Sequence, residues 1–257
     1  MTFSIIEKIE DLFYRFFITS GEILTIFFQS IVEIRDFPHS FKRILKQMLE
    51  IGFNTLPLAL MIGFFTGMIV ALQTGVELKT IGLQRMVGSI VGLSLVREMG
   101  PVITAFIVSG RVGSAMAAEL GTMAVSEEID ALRAIGIDPV RFIVMPRVLS
   151  SIIMLPLLTI YSIIVGAYGG ALISNTYLGV DPQIYFRQMY ESLVFDDISK
   201  GIGKTFIFGA IFSTVSCYMG ITTVNGAEGV GKSTTRAVVI SLTLILIADY
   251  FMSRFFA

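Results

Sequence analysis

Three stretches of this 257-residue chain combine residue types that can do chemistry. The first is Arg97-Glu98, an adjacent pair of opposite charges inside the apolar run from Gly82 to Val108. On a regular helix, neighbours point about 100° apart and do not face each other. Each charge therefore needs a partner elsewhere, or the helix must break. Gly100-Pro101 favours a break, because proline has no N–H to give and restricts the residue before it. The second stretch is Gly226-Ala-Glu-Gly-Val-Gly231-Lys232-Ser233, which fits the phosphate-cradling pattern G-x-x-x-x-G-K-[ST] letter for letter, with Leu244 to Asp249 imitating a Walker B strand. The third is the acidic cluster Glu127, Glu128 and Asp130 beside Arg133. Among single residues, Asp249 is an acid in an apolar stretch, Cys217 reads as packing, and His39, after Pro38, reads as a surface residue. One cysteine and one histidine leave little material for a disulfide framework, a metal site or an acid–base enzyme centre.

The elements that carry these residues are membrane helices. Hydrophobic residues make up 54% of the chain and charged ones 15%, against about a quarter charged in soluble domains. The mean hydropathy is +0.80. The expected fold class is an all-α integral membrane protein with about five crossings: Leu56 to Leu72, Gly82 to Val108, Val148 to Ile173, Ile202 to Val224 and Ala237 to Phe256. Gly63-x-x-x-Gly67 and Gly166-x-x-x-Gly170 give two of them small faces for close helix approach. A polar segment, Ser174 to Lys200, precedes the fourth crossing, and a Gly-rich loop, Asn225 to Arg236, precedes the fifth.

Residues 1–54 form N-terminal amphipathic helices and 55–257 the transmembrane domain. Ile5, Ile9, Leu12 and Phe16, then Ile23, Phe27, Ile31 and Ile34, recur at helical spacing, with breaks at Ser20-Gly21 and Asp36-Phe37-Pro38. The last of these helices, Phe41 to Phe53, sets Lys42, Arg43 and Lys46 beside Ile44, Leu45, Met48 and Leu49. Such a helix lies in the headgroup plane or packs on the bundle. Glu7, Glu10 and Asp11 stand where a cleavable leader carries basic residues, so the first residues are expected to be kept.

Basic residues orient the crossings. Six precede the first crossing, four lie between the second and third and two between the fourth and fifth, so twelve share one side against six on the other. The positive-inside rule assigns the N-terminus and the Arg111 to Arg147 connection to the cytoplasm. Within that connection Ser126 caps a short helix whose first turn holds Glu127, Glu128 and Asp130, and Gly136 with Pro139 ends it. Val125, Ile129, Leu132 and Ile135 make its apolar stripe, with the acids and Arg133 opposite. A helix of that length is unstable alone. It needs either the bundle's own end or a groove of a soluble subunit to pack on.

The Walker-like stretch lacks its setting. A phosphate loop works where a buried parallel strand meets a helix, whereas membrane helices flank Gly226 to Ser233 on both sides. A tight cytoplasmic turn is expected instead, with Ser233 or Thr234 capping the fifth helix. A net charge of -1 argues against a nucleic-acid partner.

The run from Leu95 to Arg147, with Gly229-Val-Gly231 and Thr234-Thr-Arg-Ala-Val-Val239, resembles the MlaE (YrbE-like) permease family of ABC-type lipid transporters, over Leu56 to the C-terminus. The resemblance implies a multi-pass permease of the bacterial inner membrane that moves phospholipid between inner and outer membranes. It also implies a second copy of the chain, a cytoplasmic ABC ATPase and a periplasmic MCE-domain protein as partners. ATP and magnesium would be bound by the ATPase, leaving this chain with no cofactor and no enzymatic site. The family's coupling helix maps onto Glu119 to Gly136, so Glu119, Glu127, Glu128, Asp130, Leu132 and Arg133 are the expected coupling residues. Arg97 is expected to contact the lipid phosphate, with Glu98 holding it or shaping the exit; the alternative is a salt-bridge network that only fixes the bundle. Met61, Phe64, Phe65, Met68, Leu72 and Val76 offer an adaptable wall for acyl chains or ordinary packing. Two rivals are a proton-coupled carrier using Glu98 or Asp249, and a scaffold that transports nothing.

Overall fold

The computed structural model describes residues 2–33 and 37–256, with side chains for residue 14 and for residues 17–33 and 40–255. The stripe at Ile5, Ile9, Leu12, Phe16 and Ile34, the acids Glu7, Glu10 and Asp11, and the surface reading of His39 concern side chains outside the described residues. Among the described residues every regular element is helical. Five stretches are long and apolar enough to cross a membrane: Ser40–Thr80, Gln84–Val125, Val140–Thr176, Phe195–Ile221 and Gly226–Phe255.

Helix α1, Thr2–Val32, runs through Ser20-Gly21 without the expected break. A glycine inside a helix costs only about 1 kcal/mol relative to alanine, and Ile26 and Phe27 pack this helix onto a buried cluster of Leu120, Ile143, Val144, Val148 and Cys217. Helix α2, Phe37–Met48, continues through a π-helical turn, Leu49–Phe53, toward α3, Leu56–Thr80. One face of α2 packs on the bundle. Ile44 and Ser40 are buried, and the Ser150 hydroxyl donates to the Ile44 carbonyl at 3.0 Å. Phe41, Leu45, Lys42 and Lys46 face outward.

The second crossing is longer than the sequence suggested and does not break at Gly100-Pro101. Helices α4, Val87–Ser94, α5, Gly100–Val108, and α6, Ser114–Val125, are joined by π turns at Leu95–Met99 and Ser109–Gly113. Pro101 sits in the first turn of α5, where a missing N–H is tolerated. A π turn accommodates an extra residue and shifts the faces that follow, which is why such turns recur at functional sites.

The two glycine patterns meet each other. Helix α8, Met145–Thr176, crosses α3 so closely that a Cβ on Gly67 would collide with the Gly166 carbonyl, and one on Gly169 with that of Phe64. Short helices cap the bundle: α7, Glu128–Ala134, precedes α8, and α9, Pro182–Ser192, follows it, so they lie at opposite ends of successive crossings. The expected polar segment before the fourth crossing is thus largely helix α9, followed by α10, Phe195–Ile221.

The expected Gly-rich loop is also helix. Helix α11, Gly226–Phe256, starts at the first glycine, and the turn before it is made by Asn225 and Gly226 at φ values of 69° and 63°. Ser233 and Thr234 lie inside α11 rather than capping it, and the Thr234 hydroxyl donates to the Gly231 carbonyl at 2.8 Å. Gly229 is needed for approach, since a Cβ there would strike the Val224 carbonyl.

Candidate functional site

The π turn at Leu95–Met99 presents Arg97 and Glu98 to different neighbours, as their spacing on a helix required. Arg97 turns to Asp197 of α10, its Nε donating to Oδ1 at 2.8 Å and its Nη2 lying 2.7 Å from the same oxygen. Asp197 is 8% exposed and also accepts from the Val194 backbone N–H at 3.4 Å, so one carboxylate both starts α10 and holds Arg97. Glu98 turns to Lys204 of α10, whose Nζ donates to Glu98 Oε1 at 2.9 Å and to Asp249 Oδ1 of α11 at 2.9 Å. The same ammonium reaches the Ser253 hydroxyl at 2.7 Å and the Arg97 carbonyl at 3.2 Å. Pro101 offers no N–H to the carbonyls one turn earlier, and Lys204 supplies a donor there.

Lys204 is 3% exposed, whereas the Arg97 side chain is 55% exposed. The difference defines the site: Lys204 is consumed by the protein, and Arg97 keeps part of its guanidinium open. Both line a cleft of about 460 Å³ with Glu98, Asp196, Asp197, Lys200, Gly201 and Ser253. Counting Asp249, which pairs with Lys204, the site holds three cations and four acids. A phosphate would therefore be met by Arg97 in otherwise acid-rich surroundings. Sequence reasoning missed Lys204 and Asp197. Lys204 stands at the start of the apolar run from Ile202 to Val224, and an ionisable residue there is the signal that points to it.

At the opposite end of the bundle, α7 departs from expectation in its details. Ser126 does not cap it: the Ser126 hydroxyl donates to the Thr122 carbonyl at 2.9 Å and closes α6 instead. The residue before α7 is Glu127, in the left-handed conformation at φ 60° with no side-chain cap. This reversal splits the expected apolar stripe. Ile129 is 3% exposed and Leu132 packs inward, whereas Val125 and Ile135 point outward. Gly136 at φ 80° ends the helix as expected. Glu127, Glu128, Asp130 and Arg133 are not buried, with Arg133 Nη1 3.1 Å from Asp130 Oδ1. Glu119 lies not on α7 but on α6, where it pairs with Arg147 at 2.7 Å.

The Walker-like stretch forms no loop. Gly226 to Ser233 make the first turns of α11, and Lys232 pairs along the helix with Glu228 at 2.6 Å. Asp249, its would-be Walker B acid, is one of the two carboxylates on Lys204.

Comparison with known proteins joins these features to one lineage. The Permease MlaE family profile matches residues 44–255. The chain is 43% identical over 212 residues to the chloroplastic protein trigalactosyldiacylglycerol 1 of Arabidopsis thaliana, covering 82% of this chain and 61% of that protein's length. It is 37% identical over 256 residues to a probable ABC transporter permease protein of Rickettsia conorii, covering 100% of this chain and 99% of the relative. Identity to the intermembrane phospholipid transport system permease protein MlaE of Haemophilus influenzae is 34% over 214 residues, covering 83% and 82%. With the family profile spanning all five crossings from α2 to α11, this chain belongs to the MlaE permease family.

Proposed function

We propose that this chain is the membrane permease subunit of an ABC-type transporter that moves phospholipid between two membranes, with ATP hydrolysed by a separate subunit bearing on α7. The observation that carries the reading is the division of charge between the two ends of the bundle. At one end a half-open guanidinium, Arg97, lines a cleft large enough for a headgroup. At the other, a short helix leaves Glu128, Asp130, Arg133 and Ile135 exposed, the combination a soluble partner's groove can take. The relatives named as ABC permeases and as a phospholipid permease support the same assignment.

In this reading Arg97 makes a charge-assisted contact to the lipid phosphate, and Glu98, held on Lys204, shapes the passage beside it. Glu127, Glu128, Asp130, Leu132 and Arg133 form the lever that the ATPase moves. The basic excess on the α7 side supports a cytoplasmic position for that end and the N-terminus, and a periplasmic one, in an inner membrane, for the charged cleft. A second copy of the chain and a periplasmic MCE-domain protein complete the assembly. ATP and magnesium stay with the ATPase in this reading, which is supported by Gly226 to Ser233 forming the first turns of a long helix rather than a loop between a strand and a helix.

One observation favours a second reading. Glu98, Lys204 and Asp249 form an acid–base cluster inside the bundle, which a proton-driven carrier would use. A single experiment separates the readings. The permease is reconstituted in vesicles with its ATPase, and transfer of a fluorescent phospholipid is followed with ATP or with an imposed proton gradient. ATP-driven transfer, reduced in Arg97→Ala with assembly intact, is the expected result. Transfer that follows the proton gradient without nucleotide would overturn it, and full transfer after neutralising both Arg97 and Glu98 would leave only a scaffold.

A further inference from the structure

Helix α7 is poorly connected for a lever. Its one fully buried side chain is Ile129, and the helix packs mainly on α6. Leu132 reaches the cluster of Leu120, Ile143, Val144, Val148 and Cys217, and beyond Gly136 a short loop leads to the π turn at Val140–Val144 and into α8. The two stems, α6 and α8, both pack against α10, which lies between them. A displacement of α7 would thus reach α6 first and the start of α8 through Leu132 and the loop, and a direct tie between the stems would deliver it to both at once.

We propose that Arg147 is a positioning residue that locks the two stems of α7 together through Glu119, so that movement of α7 is delivered to α6 and α8 as one body. Arg147 Nη2 lies 2.7 Å from Glu119 Oε1, and Nη1 donates to the Ile143 carbonyl at 3.2 Å. The Arg147 side chain is 6% exposed, and its sequence neighbours Ile143, Val144 and Val148 share an apolar cluster with Leu120 and Cys217. Its Nε has no hydrogen-bond partner among the described residues. The Glu119 side chain is 58% exposed, so only the Arg147 end of the pair is buried, and stability alone does not call for a guanidinium there: an apolar residue of similar volume in place of a buried charge is often as stable or more so. Fixed register is what a directional ion pair adds and an apolar contact does not. The same turn is gripped on its other flank, where Arg141 lies 3.5 Å from Glu33 and the Arg43 guanidinium sits 4.2 Å over the Phe142 ring.

The proposal rests on the permease reading, and its test separates the two. In vesicles holding the full complex, the phospholipid moved per ATP hydrolysed is compared for the unaltered chain, Arg147→Met and Arg147→Lys. Arg147→Met is expected to assemble and support ATP hydrolysis while the ratio falls about tenfold, the scale on which residues between two sites modulate coupling. Arg147→Lys, which keeps the charge, restores most of the ratio. An unchanged ratio in Arg147→Met overturns the proposal. Should that variant fail to assemble, spin labels at Thr122 and Phe142 in a Cys217→Ala background give the answer: a separation constant between nucleotide-free and ATP-bound complexes is expected, and stems that part on ATP binding overturn it. Loss of the permease reading appears earlier and separately, as an unaltered complex that ATP does not drive.

Discussion

Helices α7 and α9 link successive crossings at opposite ends of the same bundle, and they are held in opposite ways. Helix α9 begins on Asp181, whose carboxylate accepts from the Gln183 N–H at 2.7 Å, followed by Pro182 in the first turn. It inserts Tyr185, wholly buried, among Val87, Val91, Leu95 and Ala171. Gly88 makes room for it, since a Cβ there would strike the Tyr185 carbonyl, and Phe186 meets Tyr168 edge to face with ring centroids 5.3 Å apart. Helix α7 has none of this. It has no side-chain cap, a left-handed residue at its entry and a single fully buried side chain. A capped, plugged helix is finished by its own chain, while an uncapped helix with exposed acids and a protruding Ile135 is left for something else to finish.

The contrast is most exposed to failure at the plug. Tyr185→Ala is expected to cost about 3–5 kcal/mol, as aromatic truncations in packed cores do. Reversible unfolding in micelles measures it, and limited proteolysis should then cut near α9. The counterpart at the other end is Ile129→Ala, expected near the bottom of the range for aliphatic truncation, about 2 kcal/mol, because α7 packs mainly on α6 and can resettle. Equal losses at the two sites would abolish the distinction.

Why one helix was readable in the sequence and the other was not follows from the same chemistry. The acids of α7 and the Gly136 to Pro139 stop are local signals, so the helix was legible, although its start was not: the left-handed turn at Glu127 replaces the expected Ser126 cap. Helix α9 reads as a polar connection because its main anchor, Tyr185, is identified only by the glycine-lined notch that receives it, though Asp181-Pro182 is a usable start signal. The Gly63/Gly67 and Gly166/Gly170 faces were legible as patterns, and the structure adds that they face each other. The partners of Arg97 and Glu98 were not, since Asp197, Lys204 and Asp249 come from about 100 residues or more away and only the packing of α10 and α11 brings them in. Glycines misled at Asn225 to Arg236, where spanning helices tolerate them and only the first two residues turn the chain.

A smaller effect sharpens the account of α9. The Tyr185 hydroxyl has no hydrogen-bond partner among the described residues, and burial pushes its phenol above the ordinary value of 10.0. Removing the hydroxyl in Tyr185→Phe is expected to be neutral or to stabilise by about 1 kcal/mol at neutral pH. The sign with pH is fixed: the neutral phenol's contribution is fully present below the unfolded value and is lost as pH rises toward the folded one. The unaltered chain should therefore lose stability above about pH 10 more steeply than Tyr185→Phe, read from unfolding curves across that range. Parallel curves would mean that Tyr185 does not seal α9.

The smallest change in stability belongs to α7, and there it carries the most information. Glu128→Gln with Asp130→Asn removes two exposed charges, one of them paired with Arg133 over 3.1 Å at the surface. Exposed pairs of this kind contribute little, so folding should shift by no more than about 0.5 kcal/mol. If α7 is finished by a soluble partner, the same double variant should bind the ATPase subunit more weakly, and the salt dependence of that binding should flatten as the steering charges disappear. Titration of the purified permease with its ATPase at low and high ionic strength measures both. Unchanged affinity and unchanged salt dependence would mean that the exposed acids of α7 face water in the assembled transporter, and α7 would then be a bundle cap of the same kind as α9, only less well made.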